Sequence, residues 1–143
     1  MIVDSGSEKD VCFNSLFLAN ILIKTWKKIG RTETINLGLI ERIFCDNLMR
    51  DQMGGKSPDL LERFIFSDPR EPERYSRQLI LALFMLVRNH FIEINGCGNI
   101  SRGSSPFLEA YAICLTPQCP PDKLWQVDMM AEEIARATRQ ELS

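Results

Sequence analysis

The sequence predicts a mainly α-helical α+β domain, and three observations carry that prediction. Long segments place apolar residues at three- and four-residue steps, the spacing of helices that bury one face. Only two short runs, "FIEI" and "FLEAYAICL", read as strands, and the turn-rich "NGCGNISRGSSP" joins them. The chain has 143 residues, 45% of them apolar and 25% charged, the balance of one ordinary globular domain with a real core.

Taken in order, residues 1–9 read as a loose polar leader and 10–143 as a single domain. In "DVCFNSLFLANILIKTWKKIG", Phe13, Leu16, Phe17, Asn20, Ile21 and Lys24 fall on one helical face, and Leu18, Leu22 and Ile23 make the other faces apolar too. Such a helix is either central to the core or covered by another chain. Gly30 is its stop signal, and Lys24, Lys27, Lys28 and Arg31 complement the negative end of its dipole. The next segment carries a clean stripe of Leu39, Ile40, Ile43, Phe44 and Leu48, with Thr34 or Asn36 as cap and Gly54-Gly55 as its end. "KSPDLLERFIF" reads as a short helix. Ser57 is placed to cap it, Pro58 to open its first turn, and Leu60, Leu61, Phe64 and Ile65 to form its apolar face. Pro69 and Pro72 break the chain before a further helix from about Pro72 to Asn89. After the two expected strands, Pro117, Pro120 and Pro121 lead into a last helix striped by Leu124, Val127, Met130, Ile134 and Ala137.

Two helices, a third helix and a hairpin resemble a winged helix over about residues 34–115, with flanking N- and C-terminal helices added. "SRQLILALFMLVRNHFIEI" is similar to the recognition-helix-then-strand pattern of winged-helix regulators. "LILALFMLVRNHFIEINGCGNI" is similar to small winged-helix accessory subunits of SMC-type and ABC-ATPase-type complexes, including those of bacterial defence systems. The resemblance implies a fold, a hairpin wing and membership of a larger assembly. It carries over no residue role.

Leu79 to Val87 is an uninterrupted run of nine apolar residues. With Leu79, Ala82 or Leu83, and Leu86 turned to the core, Ile80, Leu81, Phe84, Met85 and Val87 face the position that would meet DNA. Base edges are read by hydrogen bonds, and none of these side chains makes one. Something must cover that face: the flanking helices, or another chain. The interaction candidates are therefore Ile80, Phe84, Met85 and Val87, with Trp26 and Trp125 as aromatic core or interface anchors. The expected function is a non-enzymatic protein-interaction subunit or adaptor, working as a homodimer or within a larger complex. The alternative is a winged-helix DNA-binding regulator that would use Arg74, Arg77, Gln78 and Arg102 against phosphates.

Chemistry-bearing motifs are sparse. One histidine rules out two-histidine metal motifs, and Glu132–Arg136 is a helical i,i+4 pair rather than an acid–base pair. His90, Cys97, Cys114 and Cys119 form the one candidate zinc set, of mixed nitrogen and sulfur donors, although C-x4-C is a loose spacing. "GCGNISRG" lacks the strand-before, helix-after context of a phosphate loop. No cofactor is expected. The net charge of −2 does not favour a protein dominated by phosphate contacts. Five cysteines without regular spacing, after an acidic opening that lacks a signal's basic start, suggest a reduced, cytoplasmic protein. No apolar run approaches the ~20 residues of a membrane span.

Overall fold

Helix α1 (Glu8–Ile29) is the element on which the others assemble. The computed structural model describes residues 8–52, 64, 76–119 and 121–142. Leu16, Phe17, Leu18, Ala19, Ile21 and Leu22 are all buried, so the all-round apolar character of the sequence is satisfied by neighbours on every side. The helix takes in Glu8 and Lys9 of the stretch expected as leader. It stops at Gly30, whose φ of 117° only glycine adopts readily, and the Gly30 N–H donates to the Trp26 carbonyl at 2.8 Å.

Strand β1 (Ile35–Asn36) leads directly into α2 (Leu37–Gln52). The Asn36 side-chain oxygen accepts from the Leu39 N–H at 3.3 Å, which makes Asn36 the cap of α2. Leu39, Ile40, Ile43 and Phe44 are buried as their spacing requires, and Asn47 joins them by donating to the Ile43 carbonyl and to Glu133. The Gly54-Gly55 stop and the helix expected at "KSPDLLERFIF" lie outside the described residues, apart from Phe64. The Phe64 ring is buried against Phe17 and Phe44, with centroids 6.1 and 5.3 Å away.

Helix α3 (Arg77–Arg88) packs on α1 and is followed by the hairpin β2 (Ile92–Ile94) and β3 (Asn99–Arg102). The antiparallel sheet runs β1-β3-β2, with Ile100 of β3 opposite Ile35 on one side and Ile94 on the other. The tip is an Asn95–Gly98 turn. The Asn95 side chain accepts from the Cys97 and Asn99 amides, and Gly98 has φ 79°.

The expected second strand is a helix instead. "FLEAYAICL" forms α4 (Leu108–Ala112) and then a 3-10 stretch over Ile113–Gln118, while the partner of β2 comes from within "NGCGNISRGSSP". Leu108, Ala112, Leu115 and Cys119 are the buried positions there, spaced four, three and four residues apart. That is helical spacing. Helix α5 (Trp125–Leu142) then lies along α1 and α2, burying Val127, Met130, Ala131, Ile134 and Ala135. Lys24–Asp128 and Lys28–Glu132 ion pairs stitch α1 to α5 at the surface. Among the described residues, no helix is long and apolar enough to cross a membrane.

Candidate interaction surface

The surface is built on α3, and its N-terminus sets the register. Ser76 is extended (φ −126°, ψ 124°), and its Oγ accepts from the Leu79 N–H at 3.3 Å. Ser76 also donates to the Gln78 side chain at 3.1 Å. This start turns Gln78, Leu79, Ala82, Leu83 and Leu86 inward. The inward positions are those read from the sequence, with Gln78 added.

The neighbouring helices cover the outward face only at its margins. Phe84 is 64% exposed in the middle of α3, whereas Leu83 beside it is 3% exposed. Ile80, Leu81, Met85 and Val87 are half-buried at the margins. At ~100° per residue, Arg77, Leu81, Phe84 and Arg88 share a sector of roughly 60°. The face is thus an apolar strip with an exposed arginine at each end.

Met85 ties this strip to the rest of the molecule. Its sulfur lies 3.2 Å from Ser15 Oγ and 3.5 Å from the Tyr111 hydroxyl, and that hydroxyl is itself hydrogen-bonded to Ser15. Ser15 donates onward to the Cys12 carbonyl at 2.8 Å. The Tyr111 ring stacks on Phe91 with centroids 4.9 Å apart. Burial pushes the Tyr111 phenol up to about 12, because ionisation would place charge among α1, α3 and α4. Tyr111 therefore acts as a neutral bridge between helices. Sequence reasoning missed this role, having placed Tyr111 on a strand. It also missed Phe107 and Ile113, both exposed on the helical segment that took the strand's place.

The other candidates separate. Trp26 is 1% exposed; its ring carries the Arg102 guanidinium at 5.3 Å, and its Nε1 donates to the Glu33 carbonyl. It belongs to the core. Trp125, at 40% exposed, starts α5 and remains at the surface. Arg102 ends β3 opposite Ile92 rather than sitting at the wing tip, and it is held by Glu109 at 2.6 Å. That hydrogen bond keeps the Glu109 carboxyl below its usual range. Arg102 is thus engaged inside the protein and is not a free phosphate ligand. Gln78 is buried, Arg77 is exposed, and Arg74 lies outside the described residues.

The zinc set does not assemble. His90 is exposed at the end of α3 with φ 61°, Cys97 is exposed in the hairpin tip, Cys114 is exposed after α4 and Cys119 is buried. Among the described residues, no three His, Cys, Asp or Glu side chains lie close enough to hold a metal ion. All five cysteines are free thiols. No family model, curated protein or solved structure matches the chain.

Proposed function

We propose that the protein is a non-enzymatic interaction subunit that docks another chain on the outward face of α3, as a homodimer or within a larger complex. One observation carries the reading. Phe84 stands 64% exposed at the centre of an apolar strip whose margins are already half-buried. A large aromatic surrounded by partly covered aliphatic side chains is the usual make-up of an interface anchor. A helix followed by an antiparallel hairpin supports the winged-helix-like description of the core. The DNA-binding alternative has less support. Of Arg77, Gln78 and Arg102, only Arg77 presents a free cation, and the exposed centre of α3 offers no hydrogen-bonding readout.

The test is a tagged full-length chain recovered from its native cell after nuclease treatment and measured on a mass-calibrated sizing column. The expected result is an assembly larger than the 16.4 kDa monomer that Phe84→Asp dissolves while helical content is kept. Wild-type protein that runs as a bare monomer, with no stoichiometric partner, refutes the reading.

A further inference from the structure

Among the described residues, some cations are held in ion pairs and others are not. Between α1 and α5, and on β3, the pairs are Lys24 with Asp128, Lys28 with Glu132, and Arg102 with Glu109. Lys27, Arg31 and Arg42 are exposed without an ion pair to any described residue, and on α3 so are Arg77 and Arg88. Helix α3 itself contains no carboxylate. The two arginines stand about 16 Å apart along the helix axis, with Leu81 and Phe84 between them on the same sector.

Resting on the reading of α3 as a docking face, we infer that the occupant is an acidic amphipathic helix from a different protein. Its apolar stripe would lie on Leu81 and Phe84, and its carboxylates would meet Arg77 and Arg88 at the two ends. Charge selects this occupant over the alternatives. A second copy laid α3 against α3 about a two-fold axis would oppose Arg77 to Arg88 at both ends, like charge on like charge with no acid between them. A nucleic-acid backbone would satisfy the arginines but leave Leu81 and Phe84 facing phosphate and water. An acidic helix satisfies both the strip and its ends, and helix-in-groove recognition uses this arrangement of apolar anchors.

The probes are two synthetic amphipathic peptides of about 18 residues, long enough to reach both arginines. They share one apolar face and carry Glu at both ends in one peptide and Lys in the other. Binding to the full chain is read by fluorescence anisotropy, with helical content and mass checked for every variant. The Glu-ended peptide is expected to bind at least about fivefold tighter, the effect of two exposed ion pairs. Arg77→Glu/Arg88→Glu, which alters only exposed positions, is expected to reverse that order. Equal affinity for the two peptides, with both lost in Phe84→Asp, overturns the acidic partner and leaves the docking face standing. Failure of both peptides overturns the inference outright. So does a self-assembled dimer that Phe84→Asp splits, or a DNA duplex held by wild type and released by the double variant. Of these, the dimer preserves the adaptor reading and the duplex removes it.

Discussion

Two neighbouring residues on α3 provide the most direct check on which face of this helix is interior. The perturbation is Phe84→Asp compared with Leu83→Asp. Phe84 is 64% exposed, so only about a third of the ~1.5–3 kcal/mol available from full burial is realised there, roughly 0.5–1 kcal/mol. Aspartate in a helix interior costs about 0.5 kcal/mol more through lower propensity. The new carboxylate sits four residues before Arg88, and that pair returns about 0.3 kcal/mol. The net loss is about 1 kcal/mol, or a melting-temperature fall of about 3 °C for a domain of this size.

Leu83 is 3% exposed, and the same substitution there removes a buried side chain and strands a carboxylate in the core. The first effect alone costs ~2–5 kcal/mol, and the second adds several more. Their sum reaches most of the ~5–15 kcal/mol that holds a small domain folded. Urea unfolding followed by circular dichroism should therefore show Phe84→Asp as a modestly weakened fold and Leu83→Asp as an unfolded chain. Equal collapse of both variants would mean that Phe84 is an internal residue, and the docking argument would fall with it.

Other outcomes follow from particular atoms. A Cβ on Gly103 would lie 2.2 Å from the His90 carbonyl oxygen and 2.9 Å from the Ile92 nitrogen, both backbone, so Gly103→Ala should cost ~1–3 kcal/mol. Gly96 in the hairpin tip has open space around it, and Gly96→Ala should be neutral or slightly stabilising; thermal melts that rank the two variants the other way would show that β3 does not close against the end of α3. For Tyr111, the folded value of about 12 lies above the ordinary 10.0. Across that window the unfolded chain releases a proton that the folded chain keeps, so stability is flat below pH ~10 and falls as the pH rises towards ~12. In a Tyr75→Phe background, phenolate absorbance should appear late in the folded protein, and further substitution with Tyr111→Phe should remove the slope. Folded-state titration of Tyr111 near 10 would contradict its bridging position.

The helices of this fold were largely legible because each follows from spacing that local physics enforces. Leu39, Ile40, Ile43 and Phe44 announce the buried face of α2, and Asn36 its cap. Gly30 marks the end of α1 because the backbone there takes a conformation only glycine favours. How far α3 is covered was not legible in the same way. Its nine-residue run leaves open whether flanking helices or another chain cover the outer face; α1 is the helix buried on every side, and α3 keeps Phe84 outward. Run length reports apolar content, whereas burial depends on how many neighbours a helix acquires. That is a tertiary quantity.

The sheet was the harder problem, and one misreading there hid most of the site. Strand β3 buries only Ile100 and carries Asn99, Ser101 and Arg102, so nothing in its composition separates it from the turn around it. It is a strand because β1 and β2 pair with it on both sides, which a single stretch of sequence does not display. "FLEAYAICL", rich in aromatic and aliphatic residues, then took the strand's place in the reading. Yet Leu108, Ala112 and Leu115 already stood at helical intervals, and Leu, Glu and Ala favour a helix. Once that segment is helical, its consequences follow together. Glu109 reaches back to Arg102 and takes it out of the set of free cations. Tyr111 turns to Ser15 and Met85 and fixes α3 against α1. On α3, Arg77 and Arg88 have no carboxylate partner among the described residues, and they stand on either side of Phe84. The same correction that weakens the wing as a phosphate-binding element therefore sharpens α3 as the face on which a partner would dock.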